Sequence, residues 1–205
     1  MSECKNVFSI LNELMENAKE IQNEDVLKVE DLIMNAKRIF VGGAGRSGFA
    51  ARGFSNRLMH LGFQVYFVGE PTTPSIQEGD LLIVGSGSGN TASLVSNAKT
   101  AKAQGAKVAT VTMFPENKIG SMADAAIRIP GVTEKCAGQG KGSVQSSGSS
   151  FEELTWITYD AIVMILSRLV DTISSRILHP MLLLVENHSI AVVLPLGEVL
   201  HSLNR

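Results

Sequence analysis

Residues 38–48 read RIFVGGAGRSG and residues 81–91 read LLIVGSGSGNT. In both, a short apolar run closes on a glycine-rich turn. Each turn opens a helical pattern, Ser47–Leu61 after the first and Thr91–Gln104 after the second. Strand, tight turn and helix in tandem are the repeating unit of a parallel α/β sheet. Working outward, apolar runs recur at Arg38–Val41, Val65–Val68, Leu81–Val84, Val108–Val111 and Ala126–Ile129, with a further short helix near Ile119–Ala123. The runs are continuous rather than alternating, as strands covered on both faces must be. With right-handed crossovers they predict an α/β fold, a three-layer αβα sandwich.

Toward the N-terminus, apolar residues fall at helical spacing (Val7, Ile10, Leu11, Leu14; then Val26, Val29, Leu32, Ile33), with a break at Asn23-Glu24-Asp25. Residues 131–150, GVTEKCAGQGKGSVQSSGSS, form a Gly/Ser-rich loop carrying Lys135 and Lys141. Phe151–Val170 then reads as a long apolar helix. Residues 176–205 hold 16 apolar side chains against four charges. Within them Leu182–Val185 and Ile190–Leu194 are expected to be short strands around the turn Glu186–Ser189. The division expected is one domain over residues 1–175 with an apolar tail at 176–205.

The 205 residues are 44% hydrophobic and 19% charged, the latter below the ~25% usual for globular proteins. No apolar stretch reaches the ~18 residues of a membrane span, because Asp160, Arg168, Asp171, Pro180 and Glu186 interrupt the longest runs. Cys4 and Cys136 provide neither a disulfide framework nor a metal-ligand cluster, and the start MSECKNVFSILNEL lacks the pattern of a signal peptide. A cytoplasmic protein is expected, with no membrane partner. Eighteen basic against 20 acidic residues leave a net charge of −2 without a basic run, which argues against a nucleic-acid partner. Such low charge in a chain of this length points to burial beyond one subunit.

The first turn contains G-x-G-x-x-G as Gly43, Gly45 and Gly48, with Glu70 at the end of the second strand. That is also a dinucleotide-binding fingerprint, so a nicotinamide-dependent oxidoreductase competes; no substrate domain follows the fingerprint to support it. The second turn favours a different ligand. Gly85, Gly87 and Gly89 let the backbone approach an anion, while Ser86, Ser88 and Thr91 add hydroxyls around one centre. This donor set suits a terminal phosphate monoester.

GAGRSG, RLMHLG, the Gly69–Pro74 segment, EGDLLI and GSGSGNT together resemble the sugar isomerase (SIS) domain over roughly residues 5–170, and within it the 6-phospho-3-hexuloisomerases. The resemblance implies a five-stranded parallel sheet of flavodoxin-like order and a homotetramer or homodimer with sites near subunit contacts. It implies a phosphosugar partner and interconversion of D-arabino-hex-3-ulose 6-phosphate and D-fructose 6-phosphate in the ribulose monophosphate pathway. Another phosphosugar, or regulatory sugar-phosphate binding without catalysis, is the alternative. By the same resemblance Arg46, Ser47, Ser86, Gly87, Ser88, Gly89, Asn90 and Thr91 would bind substrate. Glu152 matches the catalytic glutamate, and His60 in RLMHLG matches a position able to shuttle protons. Two departures stand out. Ser146-Ser147-Gly148-Ser149-Ser150 replaces a Pro-Met-Gly-Ser-Leu stretch, and the apolar tail replaces a His-Ala-Asn-Leu-Glu segment, leaving His179, His188 and His201 without a match.

The chemistry agrees with the residue type at 152. Moving a carbonyl between C3 and C2 needs one base that takes the C2 proton and returns it at C3 through a 2,3-enediol; no metal or redox cofactor is required. A carboxylate partly withdrawn from water has its pKa raised and serves both directions. The bland reading of the same stretch is helix capping. Ser149–Glu152 and Ser150–Glu153 are two overlapping S-x-x-E boxes, with Glu153 the better cap partner.

Overall fold

The sheet of the computed structural model has five parallel strands: β1 (Ile39–Gly43), β2 (Val65–Phe67), β3 (Leu81–Gly85), β4 (Lys107–Thr112) and β5 (Ala125–Arg128). The structure describes the backbone of residues 4–132, 143–146 and 148–185, and side chains as far as 172. Strand order is β2-β1-β3-β4-β5, the flavodoxin-like order. Ile39 stands opposite Val65 on one side and Leu81 on the other, and Ala109 opposite Ala125. Each strand coincides with one of the apolar runs to within two residues.

Strand periodicity divides the core in two. Ile39, Val41, Leu81, Ile83, Ala109, Val111 and Ile127 face one side. There they meet α1 (Lys5–Ala18), α2 (Asn23–Met34), α3 (Gly45–His60) and α5 (Ser149–Val185), which contribute Leu14, Ile33, Phe54, Leu58, Tyr159 and Ile162. Phe40, Leu82, Val84 and Val108 face the other side, against α4 (Ala92–Ala103) and a 3-10 turn at Gly120–Met122. Helices on both faces explain why the runs do not alternate. The close start of α3 on β1 requires glycine at two places. A Cβ on Gly43 would lie 2.9 Å from Gly48 Cα, and one on Gly48 would lie 2.9 Å from the Gly43 oxygen.

The N-terminal helices form as expected, broken just before Asn23. The tail does not. The helix after the loop runs on past Val170 to Val185, so Leu182–Val185 is helical rather than a strand. Its composition explains the difference: Met181 and Leu182–Leu184 are good helix formers, and a short apolar run has no period of its own to separate helix from strand. The expected boundary at 175/176 falls inside α5. The second expected strand, the turn before it, and Lys135 and Lys141 lie outside the described residues. Among the described residues no helix is long and apolar enough to cross a membrane.

Candidate active site

The strand order reverses between β1 and β3, whose following helices, α3 and α4, leave on opposite faces of the sheet. In such sheets the crevice outside the carboxyl ends at the reversal is the natural ligand position. Both glycine-rich turns open there. The residues that cap α3 and α4, Ala44 and Thr91, make no side-chain cap hydrogen bond. The first amides of two helices, with their positive dipole ends, therefore border one crevice.

A cavity of about 270 Å³ occupies this place, with Arg46 and Ser47 on one side, Ser86, Gly87, Ser88 and Thr91 on another, and Glu152 at a third. Leu94, Met113 and Phe151 complete its apolar wall. Ser47, Ser86 and Ser88 are buried, and the Ser86 Oγ, on a residue 3% exposed, has no hydrogen-bond partner among the described residues. A buried hydroxyl left unpaired costs about 1–3 kcal/mol, which a ligand oxygen would recover. Gly87 passes between Met113 and Phe151 so tightly that a Cβ would meet Met113 Cε at 2.8 Å.

Glu152 enters from the first turn of α5. Its Oε2 lies 2.9 Å from Arg46 Nε, and Arg46 Nη1 donates to Ser149 Oγ at 2.9 Å. Burial raises the Glu152 pKa above the ordinary carboxylate value, Arg46 opposes the rise and neighbouring Glu153 adds to it. The capping reading fails on geometry. The helix begins at Ser149, so Gly148, at φ +87°, holds the cap position. Ser149 Oγ accepts from Arg46 and Ser150 Oγ from Asn17 Nδ2. Both serines are thus inside the helix, and neither box forms.

The structure brings together Arg46, Ser47, Ser86, Gly87, Ser88, Thr91 and Glu152. Arg46, expected to bind substrate, lines the cavity and holds Glu152 through Nε and Ser149 through Nη1. Gly89 and Asn90 lie outside the cavity wall. Gly89 turns the chain at φ +63°, and Asn90 Oδ1 accepts from the Lys118 amide. His60 is exposed at the far end of α3, about 20 Å along the helix from its first turn, so this chain does not bring it to its own cavity. Glu70, the acidic residue of the dinucleotide fingerprint, pairs with Arg52. Among the described residues no group of three His, Cys, Asp or Glu side chains gathers to hold a metal. Reading the sequence motif by motif passed over Met113 and Phe151. Met113, the first residue past β4, is recoverable from its place at the carboxyl edge of the sheet.

Comparison with known proteins follows the same lines. The SIS domain profile matches residues 32–153. A Bacillus subtilis (strain 168) protein named 3-hexulose-6-phosphate isomerase is 43% identical over 164 residues, 80% of this chain and 89% of that protein. A Mycobacterium gastri protein of the same name is 38% identical over 157 residues, 77% of this chain and 78% of its own. A solved structure from Methanococcus jannaschii, said to infer a molecular function of 3-hexulose-6-phosphate isomerase, superposes with a TM-score of 0.69 at 34% identity, covering 82% of this chain and 92% of that one.

Proposed function

The chain belongs to the SIS domain family, and we propose that it is a sugar-phosphate isomerase interconverting D-arabino-hex-3-ulose 6-phosphate and D-fructose 6-phosphate. One observation carries the reading. A single cavity joins an anion cradle, made of Ser86, Gly87, Ser88 and Thr91, to a carboxylate whose pKa is raised by burial. Two of the proteins it resembles over most of their length carry the name 3-hexulose-6-phosphate isomerase.

In this reading the 6-phosphate sits against the 86–91 turn and the first turns of α3 and α4. Phosphate binding at that distance from C2 and C3 supplies orientation that is used at the reacting carbons. The Glu152 carboxylate takes the proton from C2 of the 3-ulose; the electron pair moves to form the C2–C3 double bond of the enediol. Glu152 returns the proton to C3 while the carbonyl re-forms at C2, and a hydroxyl proton passes from O2 to O3. Reversal of the same steps converts fructose 6-phosphate back. We further propose a cytoplasmic homodimer or homotetramer in which His60 reaches a neighbouring copy's cavity. Exposed apolar side chains on α1 (Phe8, Leu11, Met15) and α5 (Trp156, Ile157, Met164) support assembly.

Thermal stabilisation by fructose 6-phosphate and by NAD, with isomerisation measured for wild type and Glu152→Gln, tests the proposal. Fructose 6-phosphate is expected to raise Tm in both proteins, and the substitution to lower kcat by roughly 10²–10⁴-fold, the range of a general base. Stabilisation without turnover in wild type would identify a binding protein, stabilisation by NAD alone would remove the sugar reading, and full activity of the variant would remove Glu152 as the base.

A further inference from the structure

We propose that residues 112–119, lying largely outside the cavity, are the brace that aims the 86–91 turn at its anion, with Asn117 and Thr112 as positioning residues. The inference rests on the phosphate reading of that turn.

The hydrogen bonds around the turn are distributed unevenly. Every carbonyl from Ser86 to Gly89 accepts a bond. Ser86 O accepts from Gly89 N at 3.1 Å, Gly87 O from Met113 N at 3.1 Å, and Gly89 O from Ile119 N at 3.0 Å. Thr112 Oγ1 adds a second bond to Gly87 O at 3.2 Å, and Asn117 Nδ2 donates to Ser88 O at 2.8 Å. The amides of Gly87 and Ser88, by contrast, donate to no acceptor among the described residues. Three of the four carbonyls are tied to the 112–119 segment and the fourth to Gly89, while the two donors are left over. That is the polarity an anion requires.

Peptide planarity converts these outer bonds into orientation at the site. A peptide unit is rigid, so fixing one carbonyl fixes the N–H of the next residue in the opposite direction. Thr112 and Met113, by holding Gly87 O, set the Ser88 amide. Asn117, by holding Ser88 O, sets the Gly89 amide on Ser86 O, and that bond in turn sets the Gly87 amide. Gly89 is the weak point. At φ +63° and without a side chain it has the conformational freedom that a flip of the Ser88–Gly89 peptide needs. A flip would break the Gly89 N–Ser86 O bond and release the carbonyl that orients Gly87. Asn117 is the side chain that opposes it, and its Cβ lies 3.1 Å from where a Gly89 Cβ would stand. Thr112 Oγ1 is held in turn by accepting from Phe114 N at 3.2 Å, which commits its proton to Gly87 O.

The test compares wild type, Asn117→Ala, Thr112→Val and Thr112→Ser, titrated with inorganic phosphate and with fructose 6-phosphate, alongside KM and kcat for isomerisation. Asn117→Ala and Thr112→Val are expected to weaken both ligands by about tenfold and to raise KM by a similar factor, with kcat falling by less than KM rises. Thr112→Ser, which keeps the hydroxyl, is expected to bind like wild type. A fall in kcat at constant KM, wild-type affinity in Asn117→Ala and Thr112→Val, or equal losses in Thr112→Ser and Thr112→Val would overturn the brace. Should Asn117→Ala not fold, the Thr112 pair decides. If wild type binds neither ligand, the phosphate reading falls and the brace with it; if wild type binds and the variants bind equally well, only the brace falls.

Discussion

Arg46 and Glu152 form a pair in which one side chain sets the working range of the other. Burial pushes the Glu152 carboxyl up, and the Arg46 guanidinium at 2.9 Å pulls it back. Arg46 is 59% exposed, so solvent screens part of its pull, and the burial contribution prevails. On the proposal that Glu152 is the base, which must be deprotonated to act, the acid limb of kcat/KM is expected to follow its raised pKa. Replacing Arg46 by Gln removes the lowering influence; the acid limb is therefore expected to move to higher pH. A limb that stays in place in R46Q would mean that another group titrates. The glutamate and the serines are legible from sequence because they belong to contiguous motifs. The role of Arg46 is not, since its partners come from another element and only the folded chain brings them within reach.

The glycine-rich turns show how much an element can demand of a single position. Gly48 faces the Gly43 backbone, where neither side has a flexible tip to move aside. Gly48→Ala is expected to cost about 1–3 kcal/mol in urea unfolding. Gly45, at φ +57° with nothing within 4 Å of a built Cβ, provides the contrast. There alanine meets only the left-handed penalty, about 1–2 kcal/mol, with no clash added. Equal retention of stability in G48A would show that the backbone contact yields. Strands and turns were readable along the sequence because continuous apolar runs and glycine clusters are local signals. The extent of α5 was not, since leucine-rich segments carry no period that separates helix from strand over four residues. Nor was the brace: Asn117 and Thr112 act through carbonyls on a different loop, and hydrogen-bond partners distant in sequence leave no pattern in it.

At the level of the whole molecule, the low charge of the chain has a visible counterpart. Phe8, Leu11 and Met15 on α1 and Trp156, Ile157 and Met164 on α5 stand in solvent although their helices already bury another face. Light scattering coupled to gel filtration is expected to give a mass at least twice that of the single chain; a monomeric mass at micromolar concentration would overturn the proposed assembly. The cavity's construction also bears on how quickly a ligand would come and go. Apart from Arg46, already engaged by a carboxylate, the described residues of its wall offer peptide dipoles and hydroxyls in place of mobile cations. Fixed dipoles act over short range, and a chain of net charge −2 sets up no long-range pull on a dianion. For the phosphate ligand proposed above, arrival at such a cradle would be ordinary diffusion, and departure would break hydrogen bonds without dissolving a lysine–phosphate pair among the described residues, so exchange would suit a reversible reaction whose substrate and product carry the same phosphate.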